Sequence, residues 1–174
     1  MLRLSEPQRV FVSRFESPIG RLWLAATELG LVKMAFDGEE EESLEWVLKK
    51  FPNARLVPGE KNNAEFHIEL DDYFRGVLRD FTCKPILAVS GFSRIVLDEV
   101  CRIPFGVTAS YRDIARAIGM PTASRAVGRA LAGNPVPIIV PCHRVVGSDG
   151  KLVGFGGGLH IKEWLLSHER GYLH

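Results

Sequence analysis

The stretch "SYRDIARAIGMPTASRAVGRALAG", Ser110 to Gly133, carries two helix signatures in close succession. Ser110 opens the first as an N-cap, with Asp113 three residues on in the capping-box relation, and Gly119 supplies the stop. Pro121 predicts a second start, because a proline at the first helical position gives up no hydrogen bond. Gly133 and Asn134 end that helix. Only Gly119 and Met120 separate the two, so the stretch is predicted to be a helix-turn-helix. The second helix places Ala123, Ala126, Val127, Ala130 and Leu131 on a small-residue apolar side. Arg125, Gly128 and Arg129 stand at i, i+3 and i+4 on an exposed stripe. Small residues beside arginines allow close approach to a flat or grooved partner, although a core helix with two surface arginines has the same pattern.

Outward from this unit, "GFSRIVLDEVCRI" (91–103) predicts a helix with Phe92, Ile95, Val96 and Val100 inward, stopped by Pro104 and Gly106. Downstream, "PVPIIVPCHRVV" (135–146) reads as an extended segment and "GSDG" (147–150) as a turn. "KLVGFGGG" (151–158) reads as a strand and glycine-rich loop, and "LHIKEWLLSHERG" (159–171) as an amphipathic helix. Residues 10–36 read as a small antiparallel meander, three β-rich strands with turns at Pro18–Gly20 and Glu28–Gly30. A helix over 39–51 with Leu44, Val47, Leu48 and Phe51 on one face, a loop over 52–63 and a helix over 64–78 complete the N-terminal half. His67 reads as a packing or surface histidine, since no partner stands at ligand spacing. The expected class is α+β: an N-terminal small antiparallel sheet with helices over residues 1–86, and a mostly helical C-terminal domain over residues 87–174.

Composition bounds the function. At 174 residues, 46% hydrophobic and 25% charged, the chain suits one domain or two small ones sharing an interface. The opening "MLRLSEPQRV" has no signal-like apolar core, and no run approaches the roughly 18 apolar residues of a membrane span, so a cytoplasmic protein is expected (nuclear if the source is eukaryotic). Cys83, Cys101 and Cys142 are an odd, widely spaced set without a C-x-x-C pair, which argues against a disulfide framework or a thiolate zinc site. The net charge of +1 divides unevenly. Residues 1–86 hold 12 Lys and Arg against 15 Asp and Glu, and residues 87–174 hold 10 against 6. All but two of those ten C-terminal cations are arginine, the side chain suited to phosphate and base contacts.

Within "IIVPCHRVVG" (138–147) the chain sets a cysteine beside a histidine, the residue types of an activated nucleophile and its base. Around it stand Asn134-Pro135-Val136-Pro137, Pro141-Cys142-His143-Arg144, Gly156-Gly157-Gly158-Leu159, Lys162 to Leu166 and Glu169, in that order. With "SYRDIA" and "RAVG" upstream, this array resembles the 6-O-alkylguanine-DNA alkyltransferases. The resemblance is close over residues 104–169 and looser over 66–103 and the N-terminal meander, where "SPIGRLWLAATELGLVKMAF" is similar in type.

The resemblance implies a ribonuclease-H-like N-terminal domain and a winged-helix-like C-terminal one carrying the reactive cysteine. It implies that Cys142 takes an alkyl group irreversibly from 6-O-alkylguanine, and from 4-O-alkylthymine, in duplex DNA. His143 would accept the thiol proton through a water, and Glu169 would orient the imidazole and offset its charge. Adjacent residues on a strand face opposite ways, which agrees with a bridging water rather than direct contact. Asn134 would fix the turn near the thiol, and Tyr111 would donate its hydroxyl proton to a guanine ring nitrogen. The carbonyls of Cys142 and Val145 would read the exocyclic amine, the N–H of Gly156 would meet the guanine oxygen, and Leu131, Pro137 and Phe155 would wall the alkyl pocket. Arg125 would fill the stack vacated by the flipped base, on a helix entering the minor groove through Ala123, Ser124 and Gly128 beside Arg129. The implied partner is double-stranded DNA bearing alkylated guanine, met by a monomer without cofactor, metal or membrane.

Two positions depart from many relatives: Phe155 stands where tyrosine is common, and Gly156 where serine or alanine is. The aromatic wall is kept, a hydroxyl is lost and room is gained, so larger alkyl groups are expected to be tolerated. A non-catalytic lesion-binding relative would lack the reactive cysteine, which is present here. A cysteine hydrolase would leave Arg125 and the helix-turn-helix unexplained.

Overall fold

The computed structural model describes residues 8–172; most of the opening segment read above for a signal peptide lies outside them. Strands β1 (Arg9–Ser17), β2 (Gly20–Thr27) and β3 (Gly30–Ala35) form the expected antiparallel meander. Gly30 is required at its turn: its φ is +141°, and a Cβ there would sit 2.6 Å from the Lys84 carbonyl oxygen. β2 runs as an almost unbroken apolar string because both its faces are covered. Trp23 and Ala25 face helix α1 (Glu40–Lys50) together with Val10, Val32 and Val47. Leu22, Leu24 and Ala26 face the main core with Phe66, Leu70 and Tyr73 of helix α2 (Ala64–Phe74).

The expected 52–63 loop contains a fourth strand, β4 (Arg55–Pro58), which pairs parallel to β1 and gives the order β3-β2-β1-β4. The sheet is therefore antiparallel with one parallel edge. Four residues ending in proline make a short edge strand, and its partner lies far back in the chain. Inside α1 only Val47 of the four expected apolar positions is fully buried, and Leu48 is exposed.

The C-terminal half begins with α3 (Gly91–Val100), whose buried positions are Val96, Leu97 and Val100. Ile95, expected inward, is 50% exposed, and Leu97 takes its place. Strand β5 (Ala109–Ser110) leads into α4 (Tyr111–Ala117), where the Ser110–Asp113 capping box forms in both directions. Gly119 turns the chain at φ +75°, and α5 spans Ser124–Ala132. That helix starts later than the proline signal predicts. The Ala123 N–H bonds the Met120 carbonyl at 2.9 Å, which keeps Pro121 and Thr122 in the turn. Strand β6 (Val145–Val146) pairs parallel with β5, and α6 (Leu159–Gly171) packs along the reactive segment. One continuous core joins the halves: Leu22, Tyr73, Val96, Val127, Cys142 and Leu165 all belong to it. The Met34 N–H of β3 also bonds the Pro135 carbonyl at 2.8 Å, tying the sheet to the loop before the cysteine. No helix among the described residues is long and apolar enough to cross a membrane.

Candidate active site

Three prolines at 135, 137 and 141 keep the approach to Cys142 out of regular structure. Asn134 organises what remains. Its side-chain oxygen accepts the Val136 N–H at 3.0 Å, and its amide donates to the Val140 carbonyl at 3.0 Å and to Cys142 Sγ at 3.1 Å. The loop so held carries Ile138 at φ +74°, fully buried. A β-branched residue there stores on the order of 1–3 kcal/mol of strain, which the surrounding clamp must offset.

The expected extended segment through the cysteine is instead a single 3-10 turn, Cys142–Arg144, with β6 immediately after it. Cys142 and His143 therefore do not alternate across a strand, and the opposite-face reading is replaced by the step of a tight turn. "KLVGFGGG" likewise forms no strand; as a loop it lends Val153 to Gly156 to the wall of a cavity that Cys142 also lines.

His143 and Glu169 are fully buried and joined, His143 Nε2 to Glu169 Oε1 at 2.7 Å. The second ring nitrogen, Nδ1, is buried without a protein partner. With Nε2 donating to the carboxylate, Nδ1 carries the lone pair, and the ring is set up as a proton acceptor. Glu169 is a hub. It takes two-pronged bonds from Arg144 at 2.9 to 3.2 Å, one from the Tyr73 hydroxyl at 2.9 Å and one from the Gly106 N–H at 2.8 Å. Burial alone would push its carboxyl up; the bonds and charges of His143 and Arg144 prevail and hold it down at about 2.

That depression has a sign for stability. A carboxyl lower in the folded state than its ordinary 4.5 contributes stability above that value and loses it as pH falls from 4.5 toward 2. Denaturation at pH 6 and pH 3 should show about 2 kcal/mol lost from this group. Glu169→Gln should lose correspondingly less over the same interval, and equal pH slopes in the two proteins would refute the assignment.

Cys142, 8% exposed, is shared by two cavities. Burial pushes its thiol up, while the Asn134 amide and the Lys162 ammonium pull it back. The larger cavity, about 770 Å³, is walled by Tyr111, Ser124, Arg125, Gly128, Arg129, Leu131, Phe155 and Gly156. The smaller, about 220 Å³, adds Asn134 and Pro137 on the side of the N-terminal sheet, with Lys33 and Glu39 at its edge. Phe155 tilts against Phe36 at 5.4 Å between ring centres. Arg125 and Arg129 are exposed, without a carboxylate partner among the described residues.

Most expected site residues thus meet around one sulfur. Four line no cavity wall: the buried pair His143 and Glu169, and with them Val145 and Ala123. Val145 is fully buried on β6, drawn beneath the turn by its pairing with Ala109. Ala123 caps α5 and packs against the core. Tyr111 lines the cavity, but its hydroxyl donates to the Val153 carbonyl at 2.8 Å, so a bond to a base requires an exchange of partners.

Three residues without an assigned role belong to the site. Arg144 also bonds the Ile103 carbonyl at 2.6 Å. Lys162 is fully buried, bonds the Val153 carbonyl at 2.9 Å and lies 5.9 Å from the centre of the Tyr111 ring. Tyr73 reaches Glu169 from the N-terminal half. The signal for Lys162 is its place one heptad before Glu169, on the stripe of Ile161, Leu165 and Leu166 that α6 buries. His67, read as a packing histidine, bonds Ser13 Oγ at 2.9 Å and tilts against Phe15. No group of three or more His, Cys, Asp or Glu among the described residues is placed to hold a metal.

Residues 10–87 match a family described as 6-O-methylguanine DNA methyltransferase, ribonuclease-like domain, and residues 91–171 match its DNA binding domain. The inducible methylated-DNA–protein-cysteine methyltransferase of Bacillus subtilis is 40% identical over 85% of this chain and 83% of its own. The Methanosarcina barkeri protein of that name is 42% identical over 91% and 96%. Among solved structures, Mycobacterium tuberculosis OGT in complex with DNA aligns with a TM-score of 0.80 at 34% identity, covering 94% of each chain.

Proposed function

This chain belongs to the 6-O-methylguanine-DNA methyltransferase family, and on that premise we propose how its own residues remove an alkyl group from DNA. The activity is DNA alkyl repair, with methylated DNA as donor and a protein cysteine as acceptor. The acceptor is Cys142. The observation that carries this is one constellation: a sulfur at the junction of two cavities, beside a buried imidazole whose free nitrogen is Nδ1 and whose other nitrogen rests on Glu169.

The thiol proton passes to His143 Nδ1 through a water, and Glu169 balances the imidazolium. Sulfur attacks the alkyl carbon in line with the C–O bond. The S–C bond forms as the bond to the guanine oxygen breaks, and the electron pair leaves on the guanine. Tyr111, released from the Val153 carbonyl, donates its proton to a ring nitrogen of that anion. Lys162 keeps the same carbonyl in place during the exchange. The His143 proton then returns through water to the Tyr111 phenolate, so the products are a guanine and a thioether that nothing in the chain reverses, and each molecule acts once.

The 770 Å³ cavity takes the flipped base, and Arg125 on α5 fills the gap in the stack. Arg129, Ser124 and Gly128 lie along the same wall and face the minor groove, where contact does not depend on sequence. The 220 Å³ cavity gives larger alkyl groups space beside Pro137 and Phe155. Residues 1–86 form the supporting unit and residues 87–174 the reactive one, acting as a monomer, since one chain supplies every group named. A cysteine hydrolase and a non-catalytic lesion binder are not favoured: α5 with its arginines borders the cavity, and Cys142 stands at its floor.

Incubation with an oligonucleotide carrying 6-O-methylguanine, followed by intact-protein mass spectrometry, tests the reading. One added CH2 per molecule, located on Cys142, is the expected result. Turnover beyond one equivalent, or a methyl group on another residue, would overturn it.

A further inference from the structure

Tyr73 lies on α2, in the half of the chain away from the reactive turn, and is fully buried. Its hydroxyl donates to Glu169 Oε1, the same oxygen that holds His143 Nε2. The other donors to this carboxylate, Arg144 and the Gly106 N–H, come from the C-terminal half. Tyr73 is fixed at both ends. Its ring centre lies 5.3 Å from that of Phe81, 6.1 Å from Phe105 and 5.3 Å from His168, and its own carbonyl bonds His168 Nε2 at 2.8 Å.

We propose that Tyr73 is a positioning residue for alkyl transfer: its hydroxyl holds Glu169 Oε1 against His143 Nε2, so the N-terminal half takes part in the chemistry. The proposal rests on the alkyl-transfer reading of Cys142 and His143 and extends it to a group that never touches DNA.

Packing alone does not account for the hydroxyl. The pocket is built of Phe74, Phe81 and Phe105, which a phenylalanine would fill equally well, and a buried hydroxyl is unfavourable unless bonded. The bond it makes spreads the carboxylate's charge away from the imidazole. Without that donor, Oε1 carries more negative charge beside His143, and the protonated ring is favoured. Nδ1 is then occupied at pH values where it has to be empty to accept the thiol proton. The charged and titratable groups facing His143 are Glu169, Arg144, Lys162 and Cys142, and Tyr73 adds His168 on its far side. Only Glu169 hydrogen-bonds both Tyr73 and His143, so any effect of the hydroxyl on the imidazole runs through that carboxylate.

The test uses the full chain with Tyr73→Phe, and with 3-fluorotyrosine or 3,5-difluorotyrosine at position 73. Burial and the Glu169 charge push the Tyr73 phenol well up, which favours its protonated, donating form. Two quantities are read: the titration midpoint of the His143 ring by nitrogen NMR in free protein, and the acid limb of single-turnover methyl transfer against pH. In Tyr73→Phe both should move upward by roughly half a unit, slowing transfer on the acid limb about threefold. The fluorinated rings are stronger donors and should move both downward in order of fluorine number. An unmoved midpoint and limb in the fluorotyrosine proteins would overturn the proposal, whatever Tyr73→Phe does to folding. The NMR titration needs no alkyl transfer. A wild-type protein that takes up no methyl group would therefore sink the functional reading and still leave His143 to decide this one.

Discussion

Cys142→Ser is expected to keep its fold and its affinity for DNA while losing methyl transfer by about 10^4-fold or more. The fold survives because a serine hydroxyl can accept the bond that the Asn134 amide now gives to sulfur at 3.1 Å. The reaction fails on two counts. An alcohol holds its proton far more tightly than a thiol, so His143 Nδ1 cannot remove it. Oxygen is also the harder nucleophile, poorly matched to displacement at an alkyl carbon. The other cysteines serve as controls. Cys83 is buried and its thiol is pushed far up by burial and by Glu69, and Cys101 is raised by burial and Asp98. Replacing either should leave the uptake of one CH2 unchanged. Transfer rates followed by intact mass, with DNA affinity measured by fluorescence anisotropy, check the set. Methyl uptake by Cys142→Ser within a thousandfold of the natural rate would exclude Cys142 as the acceptor.

Local signals carried the reading wherever the physics is local. The Ser110–Asp113 capping box and Gly119 lie within a few residues of what they control, and both form as expected. The meander of β1 to β3 was legible because its β-rich runs are punctuated by turn residues at Pro18–Gly20 and Glu28–Gly30, next to the strands they join. Long-range partners leave no such local mark. β4 exists because β1 offers it an edge, and nothing within Arg55–Pro58 announces that. The turn at Cys142–Arg144 depends on three prolines and on an asparagine clamp that only the folded loop completes. Arg144 was visible as a letter of the tetrapeptide, but its partner Glu169 lies 25 residues on, and Tyr73 lies 96 residues before the carboxylate it touches. The hub around His143 therefore joins segments that sequence spacing cannot relate. Tyr111 shows a further limit. Its residue type suits a proton donor, but its present bond to Val153 is a property of the 151–158 loop.

Glu169→Ala is expected to lower stability by about 3–5 kcal/mol, because it leaves the buried Arg144 guanidinium without its counter-charge. The loss is more than a missing contact. Four donor atoms besides the His143 ring would lose their acceptor: the Tyr73 hydroxyl, the Gly106 N–H and the Nε and Nη2 of Arg144 would be left unsatisfied or rearranged, with Nη1 keeping the Ile103 carbonyl. Transfer should fall as well, since an imidazolium formed at His143 would have no carboxylate beside it. A second substitution separates the two effects. In Arg144→Met with Glu169→Ala the uncompensated charge is gone, and an apolar side chain takes its volume. Stability should return by about half or more of what the single change removed, since buried ion pairs exchange for apolar residues at little net loss. Methyl transfer should stay low in the double variant, because His143 is still without its partner. Chemical denaturation and single-turnover transfer on the natural protein and the two variants make the comparison. Recovery of transfer together with stability would mean that Glu169 serves only to neutralise Arg144, and its place in the proton path would have to be given up.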